Sequence, residues 1–167
     1  MAANGVAQLP PEAESELVTE LARLALEQAA PEELVLFQDN AREYFKDPQA
    51  ALSPERRDEA LGFGLDLAIL TPYVLAAATS VIHFLASTVG EAVGEESKPL
   101  VTGIVRRLLR RRDPASEAGG EAPPPPLTAD QTRQVHEIAY QRAKRLGLDE
   151  DQAKLLADSV VGGLVLG

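Results

Sequence analysis

The chain has 167 residues, 26 acidic and 16 basic, for a formal net charge of −10; 45% of it is apolar, only 4% is aromatic, and it holds neither cysteine nor tryptophan. That length suits one domain, or two very small ones. The missing cysteines exclude disulfides, thiolate zinc sites, iron–sulfur clusters and cysteine nucleophiles, and the acidic balance disfavours nucleic acid, because each phosphate contact needs a basic partner.

Residues 1–10 carry no periodic pattern and are expected to be disordered. These residues carry neither the basic nor the apolar part of a cleavable secretory signal, and with Ala2 at the second position neither secretion by such a signal nor N-myristoylation is expected. The expected location is cytoplasmic or inner-membrane-associated. Twelve arginines against four lysines, with abundant alanine, is a bias associated with GC-rich bacterial genomes.

Pro10-Pro11 opens a helix, since a first-turn proline gives up only an N–H that had no partner anyway. Glu12, Glu14 and Glu16 follow where the helix dipole favours negative charge. Leu17, Leu21 and Leu24 repeat at helical spacing to about Ala30. Pro31, Glu32 and Glu33 repeat the start signal, and the spacing of Leu34, Val35, Phe37, Ala41, Tyr44 and Phe45 predicts one helix ending at Asp47-Pro48. Ser53-Pro54-Glu55 starts a third helix that runs into the apolar centre.

Leu67 to Gly90 is a run of 24 residues without formal charge, bounded by Asp66 and Glu91. Glu91, Gly94, Glu95 and Glu96 then read as a helix end or break. Lys98-Pro99 begins a basic amphipathic helix: residues 98–112 hold six bases and no acid, with Leu100, Val101, Ile104, Val105, Leu108 and Leu109 apolar. Residues 113–126, DPASEAGGEAPPPP, read as a linker, stiff at its prolines and jointed at Gly119-Gly120. Thr128 and Gln131 make a capping box, Gly147 a helix stop, and Asp149 with Gln152 a second cap, so residues 127–167 form a helical hairpin. About 40 residues are too few for a strong core alone. The expected fold is all-α: a small bundle over 11–112 with a central apolar helix at 67–90, then the 113–126 linker and the 127–167 hairpin.

The uncharged run is long enough to span a bilayer, which needs ~20 predominantly apolar residues. Pro72, His83 and several Ser and Thr residues dilute it. On a helical wheel Ser80, His83 and Ser87 form a polar stripe with Ala76, opposite Leu75, Ala78, Ile82, Leu85 and Val89. Such a helix suits a membrane, packing its small-residue side on a partner, or the centre of a bundle with its polar groups satisfied by neighbours. The basic flank would place the C-terminal side of a span in the cytoplasm.

No nucleophile–base pair, metal cluster, phosphate loop or nucleophile elbow is present; Gly62-Phe63-Gly64 lacks the context of either glycine-rich loop. No catalytic, metal or cofactor residues are assigned, and the chain is expected not to be an enzyme. His83 reads as a structural histidine rather than a proton switch. His136, Glu137 and Tyr140 read as a solvated helix face, and Gly162-Gly163 as part of a docking final turn. Arg106, Arg107, Arg110, Arg111 and Arg112 are the candidate contact for an anionic membrane surface or an acidic partner protein. The leading expectation is a non-enzymatic membrane-associated interaction or scaffold protein. The alternative is a cytoplasmic helical adaptor that buries the central helix, with a homo-oligomer as one form of partner.

Overall fold

Proline starts the fold. In the computed structural model, which describes residues 9–53, 69–93 and 127–166, Pro11 stands at the head of α1 (Pro11–Ala29), with Glu12 and Glu14 in its first turn. The helix buries Leu17, Val18, Leu21, Ala22, Ala25 and Leu26 on one stripe, with Leu26 in place of the expected Leu24, which is only half-buried. It stops at the buried Ala30, whose N–H still reaches the Leu26 carbonyl.

The second predicted helix is broken in two. Pro31–Val35 is a 3₁₀ helix, and α2 (Phe37–Lys46) begins beyond Leu36. The break turns Phe37, Ala41 and Tyr44 inward and leaves Val35 and Leu36 in solvent. Asp47 ends α2 as expected. Its side chain also accepts the Ala50 N–H at 3.0 Å and so caps a short helix α3 (Pro48–Ala51), the Asp-Pro pair acting as a start signal as well as a stop. The helix start expected at Ser53-Pro54 lies at the edge of the described residues.

The uncharged run becomes α4 (Thr71–Val93), which passes Gly90 and Glu91 where charge alone would have ended it. Its start has no local cap. Glu33, from the 3₁₀ helix, supplies one across the chain, accepting from the N–H groups of Leu70 and Thr71 at 2.8 Å each.

The hairpin forms as its sequence signals require. Thr128 and Gln131 exchange both bonds of the capping box at the head of α5 (Ala129–Arg145). Gly147 adopts φ 93°, the left-handed conformation that glycine enters without a Cβ clash. Leu148 N–H then bonds to Ala143 O and Gly147 N–H to Lys144 O, a Schellman stop with Leu148 buried over Ala143. Asp149 caps α6 (Glu150–Leu166) through the Gln152 N–H at 2.8 Å.

Four long helices close a ring: α1 packs on α4 and α6, and α5 packs on α6 and α4. Glu33 beyond the end of α1 meets the start of α4, while Glu14 near the start of α1 meets His83, so α1 and α4 are antiparallel. Gly163 near the end of α6 lies on Leu24 near the end of α1, so those two are parallel. It follows that α4 and α5 also run parallel. Residues 94–126, which join this pair in sequence, lie outside the described residues. The shorter α2 and α3 lie against α4. The hairpin thus shares its core with α1 and α4, which supplies the apolar surface it could not make alone.

The core is rich in alanine and poor in rings. Ala22, Ala25, Ala77, Ala78, Ala139, Ala143, Ala153 and Ala157 are fully enclosed, which lets backbones approach closely, and Leu17, Leu21, Leu75, Ile82, Leu85 and Leu156 fill the space between. The aromatics Phe37, Tyr44 and Tyr73 close its flank.

Of the two alternatives for residues 67–90, this packing matches the buried helix over the described residues 69–93. Among the described residues no helix is long and apolar enough to cross a membrane. Val74, Leu75, Ala77, Ala78, Val81 and Ile82 of α4 have 0% exposure, enclosed by helices of the same chain. Pro72, Thr79, Ser80 and His83 lower the apolarity of α4 itself.

Candidate functional site

The polar stripe of α4 is divided among neighbours. His83 is exposed, and its Nε2 lies 2.8 Å from Glu14 Oε1 of α1. Ser87 is half-buried. Ser80 is also half-buried and faces α5, where its hydroxyl donates over a long 3.4 Å to Ala76 O within its own helix. Ala76, placed on the same stripe by the wheel, is 1% exposed. His83 therefore ties two helices together at the surface and faces no shared polar site with Ser80.

His136 makes the matching bridge in the hairpin, its Nε2 2.9 Å from Asp158 Oδ1 of α6. Glu137 is engaged differently, accepting from Gln141 Nε2 at 2.8 Å. The neighbours His136, Glu137 and Tyr140 thus hold separate positions. Among the described residues no group of three His, Asp or Glu side chains could hold a metal ion.

The feature with most chemical content is a groove between α4 and α5. Its volume is about 270 Å³, and it is lined by Ser80, Glu137, Ile138, Gln141, Arg142 and Arg145. Arg142 is half-buried, and its Nε is shut off from solvent with no hydrogen-bond partner. A buried N–H without a partner is uncommon, since it forfeits its bond to water. The other three described arginines all pair within their own helices: Arg23 with Glu20 and Glu27, Arg42 with Asp39, and Arg133 with Asp130. Arg142 and Arg145 have no ion-pair partner among the described residues, and both line this groove.

Behind the groove, α2 contributes Tyr44. Burial pushes its phenol above the ordinary value of 10.0, opposed by its hydrogen bond with Thr79 and by the positive charge of Arg142. Tyr44, Thr79 and Arg142 form a polar seam where three helices meet.

Sequence patterning singled out neither Arg142 nor Arg145. A signal existed: Ile138, Arg142 and Leu146 lie on one i, i+4, i+8 row beside the buried Val135, Ala139 and Ala143. A charged residue inside such a row marks a position that packing has to accommodate. The candidate residues Arg106, Arg107, Arg110, Arg111 and Arg112 lie outside the described residues.

A second surface is apolar. Val35 is 87% exposed, Leu36 60% and Ile69 43%. All three flank the joint between Glu33 and Leu70, so they share one end of the bundle. Comparison with known proteins finds no match for this chain among family models, curated proteins or solved structures.

Proposed function

We propose that this chain is a non-enzymatic helical adaptor, a bundle that buries its apolar central helix and binds a protein partner through its surface. The observation that carries this reading is the enclosure of α4. Val74, Leu75, Val81, Ile82 and Leu85, the residues a bilayer would have taken up, are spent on α1, α2 and α5. Inserting α4 would strip three helices of their apolar partner and expose their own buried stripes. The exposed Val35, Leu36 and Ile69 at one end add an apolar contact surface of the kind interfaces use.

The test is the full chain purified without detergent, followed by cross-linking in its host cells. The adaptor reading expects a monodisperse protein whose cross-linked partner is lost on replacing Val35 and Leu36 by aspartate, with the melting temperature unchanged. Aggregation that only detergent relieves would overturn it.

The membrane reading survives in a narrower form, in which the bundle stays intact and residues 98–112 touch an anionic surface. Their six bases without an acid favour it. Sedimentation with phosphatidylglycerol vesicles, lost on replacing Arg106, Arg107, Arg110, Arg111 and Arg112 by glutamine, is its expected signature. A protein that stays in the supernatant excludes it.

A further inference from the structure

Two arginines without an ion-pair partner among the described residues are unusual in a chain with ten more acidic than basic residues. Arg142 and Arg145 stand in the last turn of α5, where cations offset the helix dipole. That accounts for positive charge at this end. It does not account for two guanidinium groups that line one groove with no ion-pair partner among the described residues. A guanidinium presents five donors in a planar fork, and its best complement is an oxyanion that accepts two at once.

The groove supplies the remaining parts. Its volume of about 270 Å³ admits a group of phosphate or small-carboxylate size. Ser80 stands on the facing helix, and its long 3.4 Å bond to Ala76 O leaves the hydroxyl free to turn toward a better acceptor. Ile138 gives one wall an apolar surface. Glu137, held by Gln141, puts a negative charge on the same groove. That charge confines an anion to the arginine end and repels an extended polyanion such as a nucleic-acid strand.

We propose that the groove between α4 and α5 is a binding site for a small oxyanion, a phosphate or carboxylate group held by Arg142 and Arg145 with Ser80 donating from the opposite wall. The lining comes from α4 and α5 alone, so an occupant would brace these two helices against each other. This inference does not depend on the adaptor reading, since the groove and the exposed apolar end are separate surfaces.

Amide chemical shifts of the full chain, titrated with inorganic phosphate at constant ionic strength, test it. The expected result is a saturable response centred on Ser80, Gln141, Arg142 and Arg145, absent when chloride replaces phosphate. Arg145 is exposed, so Arg145→Ala should fold normally while weakening phosphate at least tenfold. Arg133→Ala, on the same helix but outside the groove, should leave the affinity unchanged. Acetate in a parallel titration separates the two chemistries: a matching response assigns a carboxylate ligand, and none assigns a phosphate. Shifts that fail to saturate, that spread over other basic residues, or that persist unchanged in Arg145→Ala would overturn the proposal.

Discussion

The carboxylate of Glu33 accepts both the backbone N–H of Thr71, at 2.8 Å, and its hydroxyl, at 2.5 Å, across 38 residues of chain. Its other oxygen takes the Leu70 N–H. One side chain thereby satisfies two of the donors that a helix start leaves open and sets a negative charge at the positive end of α4. Thr71 is fully buried, so water is not available to replace these bonds. The 3₁₀ helix that carries Glu33 is fixed in turn to the start of the central helix.

Glu33→Ala should therefore destabilise the bundle by about 1–3 kcal/mol, the range for losing an N-cap and hydrogen bonds to a charged group. Glu33→Gln should cost less, because an amide oxygen still accepts one bond. Urea denaturation of both variants at neutral pH checks the order. Equal stability of Glu33→Ala and wild type would show that the cap contributes nothing.

Gly162 and Gly163 should respond in opposite ways, although they are neighbours on α6. A Cβ at Gly162 would first meet the end of the Gln28 side chain, which is exposed and can swing away. Replacing glycine by alanine inside a helix gains up to about 1 kcal/mol, so Gly162→Ala should be neutral or stabilising. A Cβ at Gly163 would lie 3.1 Å from Leu24 Cβ and 3.4 Å from the Ala25 backbone nitrogen, neither able to move without α1. Gly163→Leu should force α1 and α6 apart and cost about 1–3 kcal/mol. Paired melting curves decide the matter, and a stabilised Gly163→Leu would contradict the close packing.

What could be read in advance was what depends on neighbours in sequence. The Thr128–Gln131 box, the Asp149 cap, the Gly147 stop and the stripe of Leu17 and Leu21 involve residues within a few positions of one another, and each formed. The cap from Glu33 could not be read, because a first-turn glutamate looks the same whether it serves its own helix or another. The break at Leu36 had the same cause: helical spacing continued through it, and tertiary packing of Phe37 and Tyr44 decided the outcome. For α4 the sequence posed the right alternatives but lacked the partners that choose between them. The groove was hidden because Ser80 and Arg142 lie 62 positions apart and meet only once α4 and α5 run side by side.

Tyr44 gives the fold an alkaline limit. Burial raises its phenol above 10.0, so the native state holds this proton more tightly than the unfolded chain. The sign follows from linkage: its contribution is complete below the unfolded value and is lost as pH rises through the folded one. Wild type should therefore lose stability above pH 10.0 more steeply than Tyr44→Phe, which has no proton to lose there. Denaturation series of the two proteins at rising pH, followed alongside tyrosinate absorbance, test this. Parallel curves would mean that Tyr44 does not contribute to the loss.

Ile82 distinguishes a buried helix from an inserted one. It has 0% exposure near the middle of α4. An aspartate there would set a charge in the core with no partner, and the cost of several kcal/mol is comparable to the whole stability of a domain of this size, about 5–15 kcal/mol. Ile82→Asp should accordingly abolish cooperative melting and send the protein into aggregates. Ile82→Val removes one methylene and should cost only about 0.5–1.5 kcal/mol, which controls for the site itself. If α4 lay in a bilayer, the aspartate variant would instead be released from the membrane fraction with its other helices still folded. Melting of Ile82→Asp identical to wild type would contradict both placements, because neither a packed core nor a lipid interior accepts an unpaired carboxylate without loss.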